Sequence, residues 1–206
     1  MRTAVPAIVM SLASAASAVA GFDRFAITSE IGTAPSSSFV GNYQNAFGTY
    51  QAEVISNVSG RVMSTMTASD GGVLMTSDMT IPANQVGTST GTAYYTFTET
   101  TTIQVTWNWT DVDQAGNWQV TQVGGTSPLA RLAFNAFSFA TVGDGIASAS
   151  AGVAYVTVGP GEYELSTSYT AVQMPATSSV EFTWVPAPGA LALLGAAGLV
   201  GTRRRR

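Results

Sequence analysis

Side chains alternate in character at every second residue through much of this chain, and that period limits its fold more than any other feature. Ile103, Val105, Trp107 and Trp109 are interleaved with Gln104, Thr106, Asn108 and Thr110. Val180, Phe182 and Trp184 are interleaved with Ser179, Glu181 and Thr183. Tyr163 and Leu165 alternate with Glu162 and Glu164, and Tyr169 continues that face beyond Thr167. Successive strand side chains point to opposite faces, so each segment offers one apolar face and one polar face. Thr, Val, Tyr, Phe and Trp dominate, as a pleated, half-buried surface favours.

Turn-forming residues divide these segments. Asp70-Gly71-Gly72 separates Arg61–Thr67 from Val73–Ile81, and Asp113 to Asn117 separates the Trp107/Trp109 segment from Trp118–Val123. Gly143-Asp144-Gly145 marks another break, and Gly159-Pro160-Gly161 predicts a tight hairpin between Val153–Val158 and Glu162–Val172. About ten strands follow at a spacing typical of sandwiches, with no helical period between residues 22 and 184. The expected fold is all-β, an antiparallel β-sandwich of jelly-roll-like form. Leu132–Phe139, apolar on both faces, is expected as a central strand, and the Thr-rich stretch 88–102 reads as strand edges.

The two ends differ from this body. Met1-Arg2 is a minimal positive start, Ala4 to Ala16 is apolar and small, and Ala18-Val19-Ala20 fits the small-x-small pattern of a signal peptidase site. Residues 1–20 therefore read as a signal helix cleaved before Gly21, although Ala16-Ser17-Ala18 fits the same pattern. At the other end, Pro186 and Pro188 cannot donate ladder or helix hydrogen bonds and so terminate what precedes them. Gly189 to Thr202 is an apolar run of 14 residues. As a helix it spans about 21 Å, short of the roughly 30 Å hydrocarbon core of a bilayer. With Ala187 and Pro188 joined to it and Arg203, Arg204, Arg205 and Arg206 snorkelling, it reads as a short transmembrane helix. Four arginines mark the cytoplasmic side.

The order Val185-Pro186-Ala187-Pro188, apolar run and terminal arginine block resembles the PEP-CTERM sorting signal. Ala187 stands where that family usually has glutamate. The resemblance covers about a tenth of the chain, residues 185–206. It implies export, transient membrane anchoring and cleavage near the prolines by an exosortase-type transpeptidase, in bacteria that make exopolysaccharide and biofilm.

What remains is one domain, residues 21–184. Of the eight arginines only Arg24, Arg61 and Arg131 fall inside it, against all twelve acidic residues, so the body carries −9. With no lysine or histidine in the chain, phosphate neutralisation lacks its basic face, and a nucleic-acid partner is not expected. Cysteine is absent too, which removes thiol catalysis, disulfides and Cys or His metal sites.

Candidate chemistry is sparse. Asp111-Val112-Asp113-Gln114-Ala115-Gly116 opens like a calcium loop but lacks an oxygen ligand at Ala115 and a closing glutamate at Gln122. A plain hairpin turn is the preferred reading over a partial calcium site completed by other loops, and no metal or cofactor is expected. Glu162 and Glu164 share a strand face about 6–7 Å apart, a spacing open to acid/base work on a glycosidic bond or to a solvated sheet face. Trp107, Trp109, Trp118 and Trp184, with Tyr94, Tyr95 and Tyr169, suit either a core or a sugar-stacking platform. The expectation is an exported, non-enzymatic surface or matrix protein with a structural or adhesive role. The alternative is a module binding extracellular polysaccharide.

Overall fold

The computed structural model describes residues 20–32, 36–42, 46–56, 60–110, 115–135, 138–142, 144–147, 150–172 and 175–185. Among them the chain forms fourteen strands and no helix. The first seven are β1 (Ala20–Ile31), β2 (Ser36–Asn42), β3 (Gly48–Ile55), β4 (Arg61–Ser69), β5 (Gly72–Thr80), β6 (Val86–Phe97) and β7 (Thr101–Trp109). The second seven are β8 (Ala115–Gln122), β9 (Ala130–Asn135), β10 (Ser138–Val142), β11 (Asp144–Ala147), β12 (Ala151–Val158), β13 (Gly161–Val172) and β14 (Pro175–Val185).

They pair, always antiparallel, into two seven-stranded sheets. The first has the order β10-β9-β8-β13-β6-β1-β2 and the second β11-β12-β7-β14-β5-β4-β3. Eight strands, β5 to β9 and β12 to β14, wind between the sheets so that β6-β13-β8-β9 faces β5-β14-β7-β12, a jelly-roll order. The β1–β2 and β3–β4 pairs lengthen both sheets on the same side.

Period two places the core. Ile103, Val105, Trp107 and Trp109 of β7 all face inward and are buried, as are Tyr163, Leu165 and Tyr169 of β13 and Val180 and Phe182 of β14. Trp107 lies 5.3 Å from Trp118, and Trp109 lies 4.8 Å from Phe134, so rings from both sheets interdigitate. Tilted ring contacts at these separations add to the gain from area burial.

Where β1 and β4 face each other the interior is polar. The Ser29 and Ser64 hydroxyls lie 2.7 Å apart, and those of Ser64 and Ser89 lie 2.6 Å apart. Ser29 also donates to the Ala52 carbonyl, and Ser64 to that of Thr28. A second buried pair, Ser77 and Ser178, is 2.6 Å apart. Each hydroxyl is buried with a partner, which removes most of the desolvation cost.

Three expectations are corrected. Gly159-Pro160-Gly161 is not a hairpin, because β12 lies in the second sheet and β13 in the first, and the turn carries the chain across the core. Leu132–Phe139 is not one central strand: β9 and β10 form a hairpin with Phe134 opposite Phe139, and β10 is the last strand of its sheet. Apolar residues on both faces there reflect a chain reversal. The Thr-rich segment 88–97 lies in β6, between β1 and β13, with its threonines on the outer face.

Among the described residues no helix is long and apolar enough to cross a membrane. The expected signal helix, except for Ala20, and the expected C-terminal transmembrane helix lie outside the described residues.

Candidate functional site

Because the inward faces are filled by core side chains, the described side chains open to a ligand lie on the outer faces of the two sheets and in the connecting loops. On the first sheet those faces come from β1, β6, β13 and β8. Arg24 is ion-paired with Glu162 at 2.9 Å, and its guanidinium carbon sits 3.9 Å from the centre of the Tyr94 ring. The Tyr94 phenol donates to Glu164 at 3.0 Å, and Thr96 donates to Asp23 at 2.7 Å. Partial burial, then the hydrogen bond to Glu164, raises the Tyr94 phenol above its ordinary pKa. Glu162 and Glu164 thus share a face as the sequence implied, but Glu164 is engaged by the neighbouring β6 and Glu162 by β1, reached across β6. The guanidinium covers one side of the tyrosine ring that would otherwise serve as a platform.

Beyond this cluster the same face is uncharged on β6 and β13 over three rows, while Glu30 of β1 ends the Thr88 row and Arg131 of β9 ends the Thr92 row. Thr92 stands opposite Ser166, Thr90 opposite Ser168 and Thr88 opposite Thr170. Thr28 of β1 extends the Thr90 row, and their hydroxyls are in contact. Asn117 and Gln119 of β8 extend it beyond Ser168 and Ser166. All of these side chains are half-exposed. The block assembles residues separated by up to 142 positions, and only the Thr88-Thr90-Thr92 alternation signalled it in the sequence.

The second sheet's outer face bears an open depression of about 360 Å³ over β4, β5 and β14, lined by Thr67, Ser69, Leu74, Glu181 and Thr183 around Gly72. At the opposite end of β4, Arg61 is 2.6 Å from Glu53 and 3.5 Å from Asp78. The hydrogen bond and charge of Glu53 raise the Arg61 pKa further.

The tryptophans do not form an external platform: Trp107, Trp109 and Trp118 are no more than 2 % exposed, and Trp184 is partly buried. Tyr95 and Tyr169 are buried as well. Among the described residues no group of three or more acidic side chains is placed to hold a metal ion. The calcium-like Asp111 and Asp113 lie outside the described residues. So do Ala18 of the signal-cleavage pattern, Pro186, Ala187 and Pro188 of the sorting motif, and Arg203 to Arg206. Ala20 opens β1, buried and opposite Phe97, while Gly21 is exposed, and Val185 closes β14 opposite Thr102.

No family model matches the chain, and no curated protein does. A solved carbohydrate-binding module from the β-sandwich superfamily is similar at 12% identity, over 80% of this chain and 86% of that one, with a TM-score of 0.29. A superposition at that level says nothing of what this chain binds.

Proposed function

We propose that this chain is an exported bacterial surface or matrix protein with a structural or adhesive role. Residues 1–20 would carry it to the membrane, and residues 185–206 would hold it there until an exosortase-type enzyme cuts near Pro186 and Pro188. The observation that supports this reading is the sequence pattern at the two ends, a signal-like stretch before β1 and a sorting-like stretch after β14, around a body whose described outer faces are rich in hydroxyls and poor in charge. A domain of this kind works by presenting surface.

Mass spectrometry of the protein from its native cells tests the reading. The expected mature chain begins at or near Gly21 and ends near Pro188. An intact chain from Met1 to Arg206 in the cytosol overturns it. The alternative, a polysaccharide-binding module, loses its tryptophan platform and would have to work through the outer hydroxyls.

A further inference from the structure

We propose that the hydroxyl-rich outer block of the first sheet is an adhesive face for a neutral polyhydroxyl polymer lying across β1, β6, β13 and β8. The proposal deepens the adhesive reading and rests on it for where such a polymer would be met.

Three features single out the ligand. First, the row Thr28–Thr90–Ser168–Asn117 repeats a hydroxyl or amide at every strand. Neighbouring strands lie about 4.8 Å apart, a spacing close to the repeat of an extended pyranose chain. A hydroxyl has one donor and two lone pairs, so lateral contacts such as that of Thr88 with Thr170, 3.4 Å, leave capacity facing outward. Second, β-branched threonine is stiff at χ1, so a threonine row is largely ordered before anything binds. Its methyl groups alternate with hydroxyls much as C–H and O–H alternate on a sugar ring. Third, the central row Thr28–Thr90–Ser168–Asn117 contains no ionised group and belongs to a body of net charge −9. It offers nothing to pair with a polyanion, and the field of the whole domain repels one. Charges flank this row, with Arg24, Glu162 and Glu164 towards one end of the strands, Glu30 beside Thr88 towards the other, and Arg131 of β9 beside Gln119.

The test is retention of the full-length chain on insoluble cellulose, chitin and β-1,3-glucan, with alginate as the anionic comparison. The chain should be retained on at least one neutral polymer and not on alginate. Thr90→Lys combined with Ser168→Lys should lower retention at least about tenfold, the effect of one good contact. Thr106→Lys, on the outer face of the other sheet, should leave it unchanged. Near-ultraviolet circular dichroism of the buried tryptophans confirms that each variant is folded. Retention by none of the neutral polymers, retention that survives the double substitution, or equal retention on alginate each overturns the proposal. Freezing-point hysteresis without polymer retention would mean that the lattice orders ice, which also overturns it. None of these outcomes depends on how the chain is processed in cells.

Discussion

The indole N–H of Trp184 donates to the carbonyl oxygen of Asp70 at 2.7 Å, fastening the end of β14 to the turn between β4 and β5. The Trp184 backbone N–H donates to Gly71 in the same turn at 3.1 Å. The ring packs edge-on against Tyr95 at 4.8 Å and Phe97 at 5.0 Å. The end of β14 is therefore latched one residue before the proposed sorting motif begins. Trp184→Phe should cost about 1 kcal/mol for the lost side-chain hydrogen bond, and Trp184→Ala at least 1 kcal/mol more for lost ring packing. Urea unfolding measures both. Equal losses would mean that the rings contribute nothing beyond the hydrogen bond.

Tyr95 makes stability sensitive to alkali. Its phenol is buried and donates toward the carbonyls of Ser69 and Gly72, each at 3.3 Å. Burial pushes its pKa well above the ordinary tyrosine value of 10.0. A folded-state pKa raised above the unfolded one favours the protonated, folded chain. That contribution is complete below about pH 10 and is lost as pH rises toward the folded value. Melting temperature should fall above pH 10, and Tyr95→Phe should flatten the decline. An unchanged slope would assign the alkaline loss to other groups.

Much of this interior was readable in the sequence. Strands β7, β13 and β14 sit where period two placed them, because each has one face against the core and one against solvent. The sheet partners were not readable. Gly159-Pro160-Gly161 has the composition of a hairpin turn, yet composition cannot tell a reversal within one sheet from a crossing between two. Leu132 to Phe139 misled for a related reason, since apolar residues on both faces arise equally in a central strand and in a hairpin at a sheet margin. The Arg24, Tyr94, Glu162 and Glu164 cluster needed the register of three strands, and local pattern carries none of that.

The serine chain between the sheets should be cooperative. Ser64 contacts both Ser29 and Ser89, so Ser64→Ala takes this partner from the Ser89 hydroxyl and leaves Ser29 with the Ala52 carbonyl alone. The expected cost is about 1–3 kcal/mol. Replacing all three by alanine should cost less than the sum of the single losses, because nothing is then left unpaired. Strict additivity in chemical denaturation would show that the three act independently.

Gly72 tolerates no side chain. A Cβ there would overlap the Phe182 carbonyl oxygen of the adjacent strand and approach the Thr183 Cα at 3.1 Å. Backbone cannot yield as a flexible side chain does. Gly72→Ala should therefore destabilise by about 2 kcal/mol or more. Gly71→Ala, whose Cβ would meet only the Ser69 hydroxyl oxygen at 4.0 Å, is the comparison and should be nearly neutral. Similar thermal shifts for the two would place the strain elsewhere.

The two parts of the C-terminal segment should fail differently. Neutralising Arg203 to Arg206 removes the charge that fixes orientation, and the chain should appear unprocessed outside the membrane. Pro186→Ala with Pro188→Ala keeps span and charge but lets regular structure run on, so the chain should accumulate uncut in the membrane. Immunoblots of fractionated cells distinguish the two. Identical full-length, membrane-bound behaviour would mean a plain anchor.

Ala20, sealed at 3 % exposure opposite Phe97, sets an order of events. A peptidase needs its scissile bond extended and reachable, and the bond between Ala20 and Gly21 meets that need only while β1 is unpaired. If a leader is cut before Gly21, as proposed, strand β1 must stay open until then, and closure of the first sheet against β6 would follow. Removal of the leader would then act as a clock for folding: a chain that closed early would keep its leader, and one cut on time would emerge with its new terminus already at the rim of the sandwich.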